Sequence, residues 1–584
     1  MIRSAALALF SLALFVAPAS AQPRGDARLN TLLAEHERIE RRFDPVTSGQ
    51  NGDQAALSLL PDASPAAVEA RRAALADLRT RLAAVNERQL SVGAQLNRTL
   101  LLRNIDDELE SISFDRSRLG GFGGGGYDSL GRETPLRSRE DAEAWITRLG
   151  AMAGSINQGI ENQRRGIATG WTQPRQIIER SIGVSRRTFE TSAEESPLLL
   201  PFATLPATVP EAERNAFRAR GLAIVRDQIK PAQQAQLRFL ETELLPAARA
   251  GLGVRTLPNG EAYYSYLVRS FTTTNMTPDD VHALGQSEVR RIRAEMDVVI
   301  AEAGYAGRFR DFTTFLRTDP QFYATSAEDL MEKTARLTRR ADAALPQLFG
   351  TLPRMTYGIE PTPPETAPTS ATASYSPGSA LLGQPGIYYV NTYQLNQRPL
   401  YELPALTLHE ATPGHHLQVA LMQEQPEAPY FRRTSWFTSY VEGWGLYAET
   451  LGYDINFYTT PYERFGRLSY EMWRACRLVV DTGIHWLGWT YEQGRQCFEE
   501  NTALSAQNIT AEVNRYIGGP GQALAYKIGE LTFRRMRAEA EAALGDRFDL
   551  RAFHDHLLSA GALPMDIVEV RMRAWIADQQ RATR

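Results

Sequence analysis

The residues best suited to catalysis lie in one octapeptide, His409 to His416, which reads HEATPGHH. The chain has only eight histidines, and three of them fall in this segment, the first directly beside the carboxylate of Glu410. Two imidazoles that bind Zn2+ and a glutamate that acts as general base are the usual equipment of a zinc peptidase, most often as H-E-x-x-H on a helix. The octapeptide therefore predicts one zinc ion and a hydrolytic reaction.

The spacing departs from H-E-x-x-H, because the residue four positions after His409 is Pro413. Proline binds no metal and cannot donate to the carbonyl of His409, so it interrupts the helical hydrogen-bond ladder. Gly414 permits an irregular backbone at the same point. If the helix loops out over residues 411–414, His415 takes the place of the usual second histidine. We therefore predict His409 and His415 as zinc ligands.

His416 is the alternative second ligand. It lies seven residues after His409, which on a straight helix places it on the same face but ~10.5 Å further along the axis. That separation is poor for two nitrogens that each bind one ion at ~2.0–2.1 Å. His415 is preferred, and His416 is expected to lie behind the ligands, but the sequence leaves the choice open.

A third ligand is expected from the segment YVEGWGLYAE, which begins at Tyr440. Glu442 and Glu449 lie two turns apart on one face of a predicted helix. If Glu442 binds the ion, the fourth position is left to water, as a catalytic zinc site requires. Glu449 is then expected to support the ligands from behind. The competing interpretation is a solvated or core helix with ordinary carboxylates.

Four segments closely resemble the bacterial domain of unknown function 885 family: HEATPGHHLQ, EGWGLYAE, RACRLVVDTGIHWLGW and PGQALAYKIGE. The similarity extends over most of the mature chain, including a YYVNT strand. That family is similar to the gluzincin metallopeptidases, in which two histidines and a glutamate bind zinc. Its H-E-x-x-P-G-H-H motif departs from H-E-x-x-H as this sequence does. Aligning Gly414 and His415 with the Gly-His step of other gluzincins again implies His415 as the ligand.

The resemblance also implies catalytic roles. Zinc lowers the pKa of its bound water and polarises the scissile carbonyl, while Glu410 accepts the water proton and passes it to the leaving amine. His485, Tyr526 and Tyr516 are the candidates for stabilising the oxyanion. Asp481, four residues before His485 on a predicted helix, is expected to orient its imidazole. A hydrogen-bonded core histidine is an equally open interpretation of His485.

Substrate contacts are predicted at two places. Lys527 and Arg477 are candidates for binding a terminal carboxylate, with structural capping as the competing interpretation. The YYVNT segment is predicted to form a strand whose exposed edge binds an extended peptide through main-chain hydrogen bonds. Tyr389 and Asn391 of that segment are therefore expected to contact the substrate.

Helical periodicity runs through most of the chain on both sides of a short extended segment. Proline, serine and threonine are concentrated in residues 351–385, and the strand-forming run GIYYV follows. The predicted fold is mainly α, a large multi-helix deep-cleft metallopeptidase-like fold with a small β element before the zinc helix. The predicted organisation is a helical cleft wall and lid at 22–350, a connection at 351–385 and a zinc-binding catalytic region at 386–584, all in one continuous assembly.

Residues 1–21 are typical of a signal peptide: Arg3 precedes an apolar run that is too short to span a bilayer, and small residues end at Ala21. Cleavage near Ala21 would give a secreted or periplasmic protein with no integral membrane segment. The formal net charge of −4, with mixed signs along the chain, argues against a nucleic-acid partner. The two cysteines, Cys476 and Cys497, are as consistent with free thiols as with a disulfide.

The predicted function is zinc-dependent hydrolysis of short or unfolded peptides, by an oligopeptidase or a carboxypeptidase-like enzyme. A deep cleft favours such substrates over folded proteins. A metal-dependent amidase or esterase acting on non-peptide substrates would use the same residues. A non-catalytic exported zinc-binding protein is the third possibility. The presence of Glu410 argues against it, because a scaffold needs no base beside its ligands.

Overall fold

The computed structural model describes residues 24–50, 53–120, 126–364, 366–368, 370–379, 383–425 and 428–581. Helices dominate these residues, and one small sheet interrupts them. The predicted mainly α class with a small β element is therefore confirmed. The predicted signal peptide lies outside the described residues. Within the described part, no helix combines the length and apolar character needed to cross a membrane.

The helices before the sheet are α1 Arg24–Phe43, α2 Pro45–Gln50, α3 Pro65–Ala83, α4 Val92–Ser113, α5 Gly126–Glu133, α6 Arg139–Thr169, α7 Arg175–Glu190, α8 Glu211–Ile224, α9 Lys230–Phe239, α10 Gly260–Thr272, α11 Pro278–Glu302, α12 Phe309–Thr318 and α13 Ala327–Leu348. Their starts follow from local chemistry. Thr277 and Asp280 form a reciprocal capping box at α11, where Pro278 occupies the first turn. At the starts of α3, α4, α6 and α13 a serine side chain accepts a hydrogen bond from a backbone N–H of the first turn.

The sheet has three strands, β1 Tyr357–Pro361, β2 Ala373–Ser376 and β3 Gly386–Val390. Their order is β1-β3-β2, with β3 parallel to β1 and antiparallel to β2. The strand predicted at YYVNT is therefore central. The prediction that its edge is exposed is wrong, because both edges of β3 are already paired. The outer strands of the sheet, each with one unpaired edge, are β1 and β2.

After the sheet come α14 Leu403–Glu410, α15 His415–Gln423, α16 Tyr430–Thr434, α17 Thr438–Asp454, α18 Pro461–His485, α19 Tyr491–Asn501, α20 Ala506–Gly518, α21 Ala525–Leu544, α22 Leu550–Leu558 and α23 Met565–Arg581. Helix α17 packs against α14 on one side and α21 on another, and α18 packs along α11. Residues on every side of α14 are buried, from Leu403 to His409. A helix that is apolar all round belongs inside a core, so α14 is held rigidly.

The two cysteines form a disulfide that joins α18 to α19, with Cys476 and Cys497 Cα atoms 5.8 Å apart. This resolves the alternative that the sequence left open. The bridge ties α19 to the helix that runs behind the candidate site described next.

Candidate metal centre

Three predicted ligands come together between α14, α15 and α17. One ligand atom from each of His409, His415 and Glu442 lies within 4.8 Å of the other two. The Oε2 atom of Glu442 is 3.8 Å from Nε2 of His409 and 3.5 Å from Nε2 of His415. Across the described ranges of the chain, this is the one such group of three histidine, cysteine or acidic residues. The arrangement presents two nitrogens and one oxygen to a common point.

The helix break that brings His415 into place spans Ala411–Gly414. Helix α14 ends at Glu410, α15 begins at His415, and the backbone between them is non-helical at both Ala411 and Gly414. The Oγ1 atom of Thr412 donates to Asp342 Oδ1 of α13 at 2.7 Å, which ties the turn to a neighbouring helix. Because four residues leave the helical path, His415 lies closer to His409 than a continuous helix would allow: the two ring centroids are 4.6 Å apart.

Gly414 and Trp444 hold the turn against its surroundings. A Cβ at position 414 would lie 1.9 Å from the carbonyl oxygen of His409, so no other residue fits there without moving the backbone. The indole Nε1 of Trp444 donates to the carbonyl of Pro413 at 2.8 Å. The turn is thus fastened to α17, the helix that carries Glu442.

Glu449 orients the first histidine. Its Oε1 atom accepts a hydrogen bond from Nδ1 of His409 at 2.9 Å, and both side chains are buried. A carboxylate can only accept, so Nδ1 carries the proton and the lone pair of Nε2 faces Glu442 and His415. The guanidinium of Arg474 lies 3.8 Å from the same Glu449 oxygen. Such a carboxylate–histidine pair is the usual support behind a metal-binding imidazole.

The electrostatics of the cluster favour a cation. Burial opposes charge on Glu442, but the neighbouring imidazoles of His409 and His415 outweigh it and hold the pKa of Glu442 well below its ordinary value. Burial would also lower the pKa of His409, but the carboxylates of Glu442 and Glu449 raise it to about 9. In the absence of metal, a proton on His409 therefore supplies the positive charge that Glu442 requires.

His416 faces away from this cluster. Its Nε2–H donates to the carbonyl of Met355 at 3.0 Å, and its Nδ1 accepts from the hydroxyl of Tyr375 at 3.0 Å. Both ring nitrogens are thus engaged by protein groups. The imidazole also packs against Tyr357, with centroids 4.6 Å apart. This is the placement behind the ligands that the spacing predicts, although the ligand set itself stays a prediction.

Glu410 is half-buried at the end of α14, next to the first histidine. Among the residues that the structure describes, its carboxylate has neither a hydrogen-bond partner nor an ion-pair partner. Tyr388 of β3 is fully buried beneath it, and its pKa is raised by burial and also by the charge of Glu410. An unpaired carboxylate beside a candidate metal centre has the placement that a general base needs.

Of the three oxyanion candidates, Tyr526 lies at the cluster. Burial raises the pKa of Tyr526, and the nearby negative charge of Glu442 raises it further. The guanidinium of Arg477 lies 4.3 Å from the centre of the Tyr526 ring and supports it from behind. Tyr516 is completely buried, and its hydroxyl accepts from Arg477 Nε and donates to Glu512. Because Tyr516 is buried and its hydroxyl is bonded to these two side chains, it is part of the core and does not contact a substrate.

Arg477 is almost fully buried between Tyr526 and Trp473 and is paired with Glu512 at 3.2 Å. Its Nη1 atom is buried with no hydrogen-bond partner in the described parts of the chain. The predicted role of Arg477 in binding a substrate carboxylate stays a prediction that rests on this atom.

The predicted roles of His485 and Asp481 are wrong. His485 is fully buried: the Val254 N–H donates to its Nδ1 at 3.1 Å, and its Nε2–H donates to the carbonyl of Tyr516 at 2.9 Å. Burial lowers the pKa of His485 to about 3. Asp481 does not orient it, because its carboxylate accepts from the Tyr264 hydroxyl and the Gly521 N–H instead. Both residues belong to the core.

The predicted substrate contact of Lys527 is also wrong. Lys527 is fully buried, and its ammonium contacts the carboxylates of Glu471 at 2.7 Å, Glu530 at 2.8 Å and Glu288 at 3.1 Å. A lysine enclosed by three carboxylates has no donor left for a substrate. It neutralises buried acids where α11, α18 and α21 meet.

Asn391 and Tyr389 do not reach the cluster either. Asn391 is fully buried and donates to the carbonyls of Ala367, Ser370 and Ala371, which organises the loop before β2. Tyr389 points to the face of β3 opposite Tyr388, because side chains alternate along a strand. Since Tyr388 lies under Glu410, Tyr389 faces away from the cluster, and both predicted substrate contacts are corrected.

Two neighbours of the cluster, Gly445 and Tyr375, were not predicted from the sequence. Gly445 allows α17 to approach His409, since a Cβ there would lie 2.8 Å from the imidazole. Tyr375 of β2 lies with its ring centroid 6.4 Å from that of His415. Gly445 follows Glu442 by about one helical turn, so the sequence could have indicated that both lie on the same face of α17. Tyr375 carried no such signal, because only the strand order brings β2 beside the ligands.

A family model described as bacterial protein of unknown function (DUF885) matches residues 45–572. A solved structure of a presumed lipoprotein from Colwellia psychrerythraea is 28% identical, with a TM-score of 0.89 over 95% of this chain and 100% of that one. A presumed lipoprotein of unknown function from Shewanella oneidensis shares the fold at 17% identity, with a TM-score of 0.72 over 94% of this chain and 99% of that one. The comparison with curated proteins gives no significant match.

Proposed function

The chain belongs to the DUF885 family of bacterial proteins, and we propose that it is an exported zinc-dependent peptidase that acts on short or unfolded peptides. One observation carries the proposal: His409, His415 and Glu442 converge within 4.8 Å of one another, beside the carboxylate of Glu410.

The donor set fits zinc. Two imidazole nitrogens and one carboxylate oxygen are typical of catalytic zinc sites, which keep a further position open. Calcium and magnesium prefer all-oxygen ligands, and soft metals prefer thiolates, which this site lacks. The hydrogen bond from His409 to Glu449 fixes the tautomer that leaves Nε2 free to bind. The site thus has both the ligands and the support that a zinc ion needs.

When bound, zinc would supply Lewis-acid chemistry, polarising a carbonyl oxygen and acidifying water. The protein supplies the proton transfers. Glu410 would take a proton from the attacking water and deliver it to the nitrogen of the leaving amine. The hydroxyl of Tyr526 would donate a hydrogen bond to the oxygen that becomes negative as the water attacks.

The edge of β2 supports a peptide substrate. The Asn391 N–H donates to the Thr372 carbonyl, so alternate residues from Thr372 onward pair with β3. The main-chain groups of Ala373 and Tyr375 therefore point away from the sheet, and in the described part of the chain they have no backbone partner. An extended peptide can pair with such an edge whatever its side chains. Because Tyr375 lies beside His415, the bound peptide would run next to the metal centre.

Export is supported by the predicted signal peptide and by the two similar structures, both of which are described as presumed lipoproteins. The amidase or esterase alternative would use the same centre on another substrate. The non-catalytic alternative is weakened by the unpaired carboxylate of Glu410, which contributes no support to the ligands.

The test is digestion of a peptide library by the purified mature protein, with zinc, with a chelator, and with zinc restored. Cleavage that disappears with the chelator and returns with zinc is the expected result. Glu410→Gln should keep stoichiometric zinc and lose turnover. Glu492→Gln, which removes an exposed carboxylate on α19, serves as the matched control and should retain activity.

Failure to cleave any peptide would overturn the peptidase proposal, and hydrolysis of model esters or amides in the same samples would then favour the alternative substrate class. If Glu410→Gln lost zinc together with activity, the role of Glu410 as a base would be wrong. Zinc binding without hydrolysis of any substrate would leave only a binding protein.

A further inference from the structure

A polar cavity lies away from the metal centre, lined by residues of α1, α2, α4 and α16 and by Asp44 between α1 and α2. Its volume is about 190 Å3. None of its lining residues belongs to the candidate metal centre or to the groups that support it. The lining consists of His36, Glu40, Asp44, Thr47, Ser48, Asn104, Glu108, Tyr430, Phe431, Thr434 and Ser435.

The lining is acidic. Glu40, Asp44 and Glu108 all line the cavity, and the guanidinium of Arg71 on α3 contacts Glu40 and Glu108. Arg71 lies 3.3 Å from Glu40 and 2.5 Å from Glu108, so one positive charge is shared between two carboxylates. With all three acids ionised, the cavity would carry two uncompensated negative charges.

His36 does not compensate them. Its side chain is 9% exposed, and its Nε2 is 3.7 Å from Glu40 Oε1, beyond hydrogen-bond distance. Neither ring nitrogen has a hydrogen-bond partner among the residues that the structure describes. Burial lowers the pKa of His36 to about 4, so the imidazole is neutral near pH 7. The imidazole lines the cavity, where a ligand can bind its ring nitrogens.

Part of the cavity lining is aromatic. Phe431 packs edge-on against His36, with centroids 6.2 Å apart, and Tyr430 lines the same space. Aromatic faces attract alkyl groups and cations alike. The cavity therefore combines a negative pole with an apolar surface.

The dimensions favour an organic cation over a bare metal ion. No three acidic or histidine side chains of this cavity bring ligand atoms within 4.8 Å of one another, a search that covers the described residues alone. Since a water molecule occupies about 30 Å3 of the liquid, the cavity has room for roughly six of them. That volume accommodates a chain of a few carbons with one or two ammonium groups.

We propose that this cavity is a binding site for a small aliphatic amine. Its ammonium groups would donate to the carboxylates of Glu40 and Glu108 and to the free nitrogen of His36. Its carbon chain would lie on Phe431. Once all three acids are ionised, a diamine matches the charge of the cavity best, because its two positive charges equal the two uncompensated negative ones.

The test is isothermal titration calorimetry of the full-length mature protein with putrescine as the probe. Butane-1,4-diol, which has the same chain without charge, is the control ligand, and calcium chloride tests the metal alternative. We expect putrescine to bind at one site, and butanediol and calcium not to bind there. The double variant Glu40→Gln/Glu108→Gln should weaken putrescine at least tenfold.

Glu37→Gln is the matched control variant. Glu37 lies on α1, pairs with Arg41 and does not line the cavity, so its removal should leave binding unchanged. Circular dichroism and thermal unfolding would establish that each variant folds. If the double variant does not fold, Phe431→Leu replaces it, because it keeps the charge, removes the aromatic wall and should weaken binding several-fold.

The pH dependence gives an independent readout. Burial raises the pKa of Glu40 to about 7. The guanidinium of Arg71 opposes this rise, and the negative charges of Glu108 and Asp44 add to it. Since His36 stays neutral and the amine stays charged, putrescine should bind up to about tenfold more tightly at pH 8 than at pH 6.

The proposal is wrong if wild-type protein does not bind putrescine, if butanediol binds equally well, if calcium binds at this site in place of the amine, or if Glu37→Gln weakens binding as much as the double variant.

Discussion

Replacing Gly445 with alanine probes how the candidate metal centre is positioned. A Cβ at this residue of α17 would lie 2.8 Å from Cε1 of His409 and 2.9 Å from its Nε2. Ordinary contacts between such atoms are about 3.5–4.0 Å. The imidazole or the helix would therefore have to retreat by about 0.5–1 Å. Because α17 also carries Glu442 and Glu449, either movement changes the relation between the ligands.

The expected effect on zinc binding is large. Zinc–nitrogen distances are about 2.0–2.1 Å with a tolerance of about 0.2 Å, and His409 cannot turn aside without losing its 2.9 Å hydrogen bond to Glu449. Disturbing the support of a ligand typically lowers metal affinity by about 10–100-fold. The stability of the zinc-free protein should change less. Overpacking costs about 1–3 kcal/mol, but alanine is favoured over glycine in a helix by about 1 kcal/mol.

The assay is a competition titration of zinc with a chromophoric chelator, together with thermal unfolding of the zinc-free protein. Gly154→Ala is the matched control, because a Cβ at this residue of α6 meets nothing within 4 Å. It should leave zinc affinity unchanged and stabilise the helix by up to about 1 kcal/mol. If Gly445→Ala binds zinc as tightly as the wild type and gains stability like the control, the close packing of α17 on His409 does not position a ligand.

Three other predictions follow from the placement of single side chains. His415→Ala should lose stoichiometric zinc by elemental analysis whereas His416→Gln should keep it; equal loss from both would contradict the ligand choice. Lys527→Met should lower the free energy of unfolding by about 1.5–3 kcal/mol in denaturant titrations without changing KM for peptides, because three buried carboxylates lose the ammonium and keep only arginine partners; a raised KM at unchanged stability would restore a substrate role. Burial raises the pKa of Asp481 to about 7, so the folded state binds this proton more tightly than the unfolded state does. The stabilisation from it is complete below about pH 4 and is lost as pH rises through 7. Tm should therefore fall from pH 6 to pH 8, and less steeply in Asp481→Asn; parallel curves would show that another group is responsible.

The break in the zinc helix could be predicted because its cause is local. Pro413 and Gly414 act on the backbone of their own turn, whatever surrounds them. Once four residues leave the helix, the proximity of His415 to His409 follows from chain geometry. The choice of Glu442 over other carboxylates needed more, namely a helix that returns beside the first. The spacing of Glu442 and Glu449 predicted a helix there, and the family resemblance supported the choice.

The residues whose roles were predicted wrongly are polar residues that are buried in the core and bonded to other protein groups. His485, Asp481, Lys527 and Asn391 have the residue types of an active site, but each is fully buried and satisfied by protein partners. Sequence patterns do not show whether a buried polar group is paired by the fold or left free for a substrate. That depends on partners from distant segments, as when Lys527 meets acids of α11 and α18.

The sequence by itself determined the helical class, the presence of one small extended element and the composition of the candidate centre, because these depend on periodicity, propensity and local backbone chemistry. Tertiary structure decided which strand has a free edge, which tyrosine faces Glu442 and which charges remain unpaired. These outcomes arise from contacts between segments far apart in the chain. In the sheet, β3 could be recognised as a strand from its residues, but only its pairing with both β1 and β2 left β2 as an outer strand beside His415.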